Sequence, residues 1–460
     1  MKFKKADIRR RFKPIERIEF DARAGLTAYA GLVVIDSLFG AVRLREKLRL
    51  CFPERPNGSI FSVWRIVLLL IVHLMLGFRR LSHRAYYRED PMVQRVVGLN
   101  RIPDERVISR TLSKVSPGEE EGFDRLLSSM VTDGLKRVAL SEVTIDFDGS
   151  VQSTGGHAEG TAVGFNKKKK GARSYYPLFA TIAETSQFLA MHHRSGNVHD
   201  SNGACEFIDH CLDTVRNTVP DAVLAARFDS AFFSCDIIET LRSQRISFSM
   251  SVPFARLPEL KGFIEQRQRW RKLDGKTGYF EKIYGPKNWP WNMRFIFVRN
   301  RRPVQRSGPL QLDLFEPVDH KFEYQVIVTS SKAPVGDMIL FHHGRGGQEK
   351  LFGEAIQHVA LDVIATKRLV ANRMVTRVGM LAHNLGRELQ IRTRKADHPA
   401  PTPKRTARWR FLSLGTLTNT IIHRAGRLLR PQGRITLRMN ANEDTEKTFG
   451  EFLDGLKSAA

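Results

Sequence analysis

The chain has 460 residues, 42% of them hydrophobic, enough for two or three domains with a full core. Its 74 Lys and Arg against 48 Asp and Glu leave a formal charge of +26, which favours a polyanionic partner and says nothing of the fold. Cys51, Cys205, Cys211 and Cys235 fall at no metal-ligand spacing and read as small buried hydrophobes in a reducing compartment.

The opening MKFKKADIRRRFKP is charged and lacks the apolar segment of a secretory signal. Helices are expected over 27–50, 60–79, 90–99 and 105–115, with Pro53, Pro56 and Pro103 as breaks. The second contains IVLLLIVHLMLGF (66–78), too short for a bilayer span and interrupted by His73, so it reads as a buried core helix. RVISRTLSKV (106–115) mixes basic and apolar positions at helical spacing, a pattern shared by DNA-facing and simply solvated helices.

The pattern changes at 140. EVTIDFDGSVQS alternates as a strand, and YYPLFATIAET (175–185) and QFLAMHHRSGN (187–197) read as two more joined by a turn. A helix over 201–217, a strand over 222–228, a helix near 233–243 and the strand ISFSMSV (246–252) follow. This is an α/β layout with hairpin and crossover connections. Residues 265–335 alternate again in RFIFVRN and EYQVIVTSS and hold three tryptophans, so this block is β-rich. The proline-free run 344–389 reads as one or two long helices. Between 391 and 440, twelve Lys and Arg, among them Arg408 and Arg410, stand against the single acid Asp397. The apolar pieces FLSLGTL and IIHRAG point to a segment folded partly onto the body.

Certain acids stand where chemistry is placed. VLAARFDSAFFS (223–234) carries Asp229 from an apolar strand to a helix start. Open α/β sheets put working groups there, and Asp also serves there as an N-cap. TIDFDGS puts Asp146 and Asp148 two apart on a strand, hence on one face. Such a pair repels unless a cation lies between; alternatively one acid lies in the sheet interior and the other is already in the turn, as Gly149 and Ser150 would allow. In HHGRGGQEKLFGEA, Glu349 sits just inside a long helix, behind Arg345 and a glycine pair that permits close backbone approach; the helix macrodipole alone also favours a first-turn Glu. Together, in a chain of this charge, Asp148, Asp229 and Glu349 point to a divalent-metal site. Mg²⁺ is held by a few carboxylates plus substrate phosphate and water. Two such ions activate a nucleophile and stabilise the leaving oxygen of an in-line displacement.

In this order, with DFDGS, ARFDSAFFS and HHGRGGQE as its pieces, the chain resembles the DDE transposases of bacterial insertion sequences over roughly 140–390. The stretch GHAEGTAVGFNKKKKGARSYYPL (156–178) also looks like the subgroup with an all-β insertion before the final Glu. The resemblance implies an α/β fold with an RNase H-like core over 140–255 and 336–390 and a β-rich insertion over 256–335. A mainly helical DNA-binding domain would precede it over 1–139, and a basic segment would follow over 391–460. It implies metal-dependent cleavage at insertion-sequence ends and strand transfer into target DNA by a cut-and-paste route. Two Mg²⁺ ions, replaceable by Mn²⁺, would be held by Asp148, Asp229 and Glu349 as catalytic acids, with Asp146 as a further ligand. Asp148 is preferred to Asp146 because it stands in the DG(S/T) context of the family. The implied partner is double-stranded DNA, both terminal inverted repeats and target, bound by a homodimer. The expected location is cytoplasmic and nucleoid-associated, with no membrane.

Members with that insertion carry a Tyr, two residues, Arg, three residues, Glu, six residues, Lys signature. Here the positions are His342, Arg345, Glu349 and Ile356, so the middle two match and the outer two do not. Arg345 is expected to clamp a phosphate with its guanidinium fork, with His342 beside it on the DNA. In such relatives cleavage passes through a DNA hairpin and an insertion Trp holds a flipped base. Trp289 or Trp291 is the candidate; a core role in a small β-domain fits either equally well. Lys167, Lys168, Lys169 and Lys170 form a solvated loop or contact phosphates without sequence preference. His192, His193 and His199 have no partners at zinc-finger spacing. Two other readings stand beside the transposase: an RNase H-like nuclease that cuts without joining, and a non-catalytic DNA-binding protein derived from a transposase. The insertion and basic tail favour the transposase over the first, and the presence of all three acids favours it over the second.

Overall fold

The computed structural model describes residues 25–54, 60–164, 166, 169–199, 202–301, 322–398, 406–440 and 442–458. Strand β1 (Leu26–Thr27) precedes the helices α1 (Leu32–Ala41), α2 (Leu44–Cys51), α3 (Val63–Met75), α4 (Pro91–Val97), α5 (Glu105–Leu112) and α6 (Pro117–Val138). The expected helix over 27–50 is two helices, separated where Arg43 turns left-handed at φ 52°. In α3 every residue from Ile66 to Met75 is buried, as a helix apolar on all sides requires. Asp90 and Asp104 cap α4 and α5 through the N–H groups of Met92, Val93 and Val107. Ser116 and Glu119 form a capping box on α6, a helix whose acidic start and internal glycines hide its apolar stripe from a periodicity reading.

A mixed sheet follows, opened by β2 (Glu142–Gly149), β6 (Leu178–Ile182) and β7 (Gln187–His192). Between β2 and β6, the strands β3 (Gln152–Thr154), β4 (Ala162–Val163) and β5 (Arg173–Tyr175) form a small sheet of their own in the order β3-β5-β4. Helix α7 (Ala204–Thr218), β8 (Val223–Phe228), α8 (Cys235–Ser243) and β9 (Ser247–Ser251) complete the crossover units. Their order in the sheet is β7-β6-β2-β8-β9. Strand β2 runs antiparallel to β6, β6 antiparallel to β7, β2 parallel to β8, and β8 parallel to β9. That meander of three strands, joined by two parallel strands on crossover helices, is an RNase H-like core.

The β-rich block is built onto that sheet. After α9 (Pro258–Glu265) come β10 (Arg271–Lys272), β11 (Thr277–Tyr284), β12 (Met293–Arg301) and β13 (Phe322–Thr329). Strand β13 pairs antiparallel with β9, Val328 opposite Met250, so nine strands run without interruption from β10 to β7. The chain then returns through α10 (Val335–His343), α11 (Gly346–Val359) and α12 (Leu369–Thr393). Elements α13 (Leu414–Leu417), β14 (Gly426–Leu429), β15 (Thr436–Met439) and α14 (Glu443–Ser458) finish it. One apolar cluster joins α1 and α3 to α11, α12 and α13, and a second fills the space around the sheet. The basic tail is part of the body: Trp409, Leu414, Leu417, Ile421 and Ile422 are buried, and β14 pairs with β1. Among the described residues no helix is long and apolar enough to cross a membrane.

Candidate active site

The parallel ladder between β2 and β8 ends with Phe147 opposite Phe228, whose rings stack at 5.0 Å. Asp148 and Asp229 are the next residue on each strand, so register alone brings two acids to neighbouring strand ends. Asp148 Oδ1 accepts the Gly149 N–H at 2.8 Å. Asp229 Oδ1 accepts the Ala231 N–H at 3.0 Å and caps a short 3-10 turn, so the capping role read from sequence coexists with the strand-end position. Gly149 has a steric reason: a Cβ there would lie 2.5 Å from the Tyr176 ring.

The third acid arrives on α11. Arg345 Nη1 lies 3.2 Å from Asp148 Oδ2 and Nη2 lies 3.4 Å from Glu349 Oε1. One guanidinium thus joins the strand acid to the helix acid. Its side chain is 18% exposed, while Glu349 is 67% exposed. Gln348 faces the other way: its buried Nε2 donates to the Asp146 carbonyl at 2.9 Å and to Thr181 Oγ1 at 3.0 Å. The first turn of α11 is therefore fastened to β2 and β6, and Glu349 is set at the rim above them.

Asp146 requires a correction. It shares the face of Asp148, as the spacing predicts, but lies deep in the protein, 1% exposed. Arg227 donates Nε to Asp146 Oδ1 at 2.6 Å and Nη2 to Oδ2 at 2.8 Å. Both carboxylate oxygens are committed to this bidentate pair, so Asp146 is an internal counter-ion and not a metal ligand. Arg227 Nη1 continues to the Phe341 carbonyl at 2.8 Å and to Thr406 Oγ1 at 3.1 Å. Burial opposes its charge, but Asp146 and Glu184 outweigh that and hold the guanidinium protonated. Glu184, also fully buried, has both oxygens on the Thr144 N–H, and burial pushes its carboxyl up to about 7.

The remaining expected residues are dispersed. His342 does not reach the surface: it is 3% exposed, with Nε2 against Ser251 Oγ at 2.8 Å and Nδ1 against Ser249 Oγ at 3.0 Å. Burial lowers its pKa to about 3, so it pins α10 to β9 as a neutral ring and offers no group to DNA. The glycines of GRGGQE also divide differently from the expectation. Gly346 and Gly347 have open space where a Cβ would go, whereas one on Gly344 would collide with Arg227 Nη1. Trp289 stacks on Phe233 at 5.2 Å and meets Trp291 edge-on at 4.9 Å. Trp291 Nε1 donates to Glu239 at 2.7 Å. Both indoles are half-buried against the stretch that follows Asp229. Lys169 and Lys170 are exposed; Lys167 and Lys168 lie outside the described residues. Arg410 is exposed, while Arg408 is half-buried, its Nε donating to the His398 carbonyl at 3.3 Å.

Arg227, Gln348, Tyr176 and Glu184 escaped the sequence reading. Arg227 carried a usable signal, since a lone Arg inside the apolar run VLAARF needs a buried acid. The period-two partner of Asp148 on the adjacent strand supplies it.

Oxygen donors alone suit a hard divalent cation, and Asp148 and Glu349 already share one positive group, the Arg345 guanidinium, as a stand-in. That donor set fits such an ion, although no three His, Cys, Asp or Glu side chains among the described residues are gathered closely enough to enclose one.

No curated protein matches the sequence. A solved structure, the cryo-EM structure of a piggyBac transposase synaptic complex with hairpin DNA, is similar over 86% of this chain and 80% of that chain. Its TM-score is 0.43 and its identity 10%. The family model described as "Transposase DDE domain group 1" matches residues 14–460, a span that takes in both strand ends, the added strands, α11 and the basic tail. By that match the chain belongs to the DDE transposase family.

Proposed function

We propose that this protein cuts DNA at the ends of an insertion sequence and joins the freed 3′-hydroxyl to target DNA by a cut-and-paste route. The observation that supports it most directly is the placing of Asp148 and Asp229 one step beyond the last rung of a parallel ladder, with Glu349 tied to Asp148 through Arg345. In this reading Asp148, Asp229 and Glu349 hold divalent cations, Mg²⁺ with Mn²⁺ as substitute. Bound there, such ions supply an activated nucleophile and charge stabilisation at the leaving oxygen. The rigid strand ends keep two carboxylates in place. Gln348 sets the height of the third, and Arg345 transfers its fork from the carboxylates to a DNA phosphate. Trp289 and Trp291, packed on Phe233 and α8, offer an aromatic face for a base turned out of a hairpin. The partner is duplex DNA bearing terminal repeats, bound by a homodimer.

The test is a plasmid carrying the DNA that flanks the gene, incubated with Mg²⁺, Mn²⁺ or EDTA. Cleavage at the element ends with strand-transfer products is expected, and is lost in Asp148→Asn, Asp229→Asn and Glu349→Gln. Metal-dependent cleavage without transfer would leave a nuclease, and binding without cleavage would leave a retired transposase.

A further inference from the structure

Between α5 and the segment joining α11 to α12 runs a groove of about 1160 Å³. We infer that this groove holds the phosphate backbone of duplex DNA a few base pairs away from the bond being cut; the inference rests on the proposed function and extends it to a second contact surface.

Charge is the first support. Arg80, Arg106, Arg110, Lys114, Lys367 and Arg368 line the groove, and all six are exposed. Two acids share the lining, and both are engaged: Glu105 lies 3.3 Å from Arg84 Nε, and Glu159 Oε2 accepts the Leu369 N–H at 3.3 Å. The helix pattern is the second. On α5 and the turn that follows it, Arg106, Arg110 and Lys114 recur every four residues on the groove side, while Ile108, Thr111, Leu112 and Val115 are buried. A helix solvated for its own sake has no need of a second basic wall facing it, and here the loop with Lys367 and Arg368 provides one. Among the described residues the lining contains no aromatic side chain. Single strands are held largely by stacking on aromatic faces, so the wall suits a duplex read through its phosphates.

Position is the third support. From Glu349, α11 continues to Val359, and the joining segment enters the groove four residues later at Val363. Ten helical residues advance about 15 Å at roughly 1.5 Å each, which is four to five steps of about 3.4 Å along a strand of duplex. The other acid leads to the same place: β3, just beyond Asp148, donates Gln152 Nε2 to the Leu361 carbonyl at 2.6 Å. The acids and the groove are thus two ends of one rigid strut.

The experiment measures affinity for a 30-base-pair duplex as a function of KCl. Each phosphate contact contributes about 0.9 to the slope of log affinity against log salt. The triple variant Arg106→Gln, Arg110→Gln, Lys114→Gln should lower that slope by about 2 to 3, and Arg106→Lys with Arg110→Lys should retain it. Lys367→Gln with Arg368→Gln tests the opposite wall independently, with an expected fall of up to about 2, so the inference does not depend on the helix variant folding. An unchanged slope in both sets overturns the inference, as does equal salt dependence on a single strand or on polyglutamate. Glu349→Gln separates the two proposals: cleavage surviving in it removes the functional reading, while the groove is still judged on salt slopes alone.

Discussion

Arg227 meets Asp146 through two parallel bonds of 2.6 and 2.8 Å in a site from which solvent is excluded. The same guanidinium reaches α10 at the Phe341 carbonyl and the tail at Thr406. Two residues after Asp146 comes Asp148, two after Arg227 comes Asp229, and eight after Phe341 comes Glu349. The pair therefore ties the two acid-bearing strands, β2 and β8, to α10, the helix that leads into α11.

Removing one charge of a buried pair strands the other. Asp146→Asn should cost about 3–5 kcal/mol in urea unfolding, whereas Asp146→Leu with Arg227→Met should recover most of that loss. Were Asp146 a metal ligand instead, Asp146→Asn would spare stability and alter only the metal requirement of cleavage.

Two neighbouring glycines should respond in opposite directions. A methyl on Gly344 strikes Arg227, so Gly344→Ala should lose about 1–3 kcal/mol. Gly347 sits in the first turn of α11 with nothing within 4 Å of a Cβ. Gly347→Ala should gain up to about 1 kcal/mol from helix propensity. Thermal midpoints of the two variants settle this.

Gln348 holds α11 to β2 and β6 by two buried bonds. Gln348→Leu keeps the volume and leaves the Asp146 carbonyl and Thr181 hydroxyl unpartnered by it, a cost of about 1–3 kcal/mol. With Glu349 no longer set in place, cleavage should require more metal to saturate. A variant that merely unfolded would lose turnover at every metal concentration instead.

Glu184 gives a signed pH dependence. Its folded pKa of about 7 lies above the unfolded value, so the folded state retains a proton that the unfolded state has lost. Stability from this group is full below about pH 4.5 and falls as pH rises to about 7, by at most about 3 kcal/mol. Glu184→Gln should flatten the unfolding free energy between pH 5 and pH 8. An unaltered pH profile would mean that Glu184 is ionised in the fold.

Periodicity was sufficient to place Asp148 and Asp229 at strand ends and Glu349 in the first turn of a helix, because those are local properties of β2, β8 and α11. Depth was not available. A period of two assigns Asp146 and Asp148 to one face, but only the sheet neighbour decides that the first meets Arg227 and the second the rim. His342 was misplaced for the same reason, since the serines that enclose it come from β9, some ninety residues earlier. The insertion was legible as β-rich, while its continuation of the main sheet depends on the β9–β13 ladder, a pairing between distant segments that no local pattern encodes. The groove had half a signature: the basic face of α5 was visible, and the opposing loop was not, because tertiary packing alone puts them together.

The pairing of β14 with β1, Arg427 beside Leu26, bears on when the molecule takes shape. A chain made in order exposes Leu26 roughly four hundred residues before its strand partner exists, and contacts of such separation close last and slowly. Thr406, the last partner of Arg227, belongs to the same late segment. A nascent or nicked chain lacking that stretch leaves the central arginine one bond short and the first strand unpaired. Possession of all three acids is then not enough, and fragments of this protein should cleave DNA poorly even when Asp148, Asp229 and Glu349 are intact.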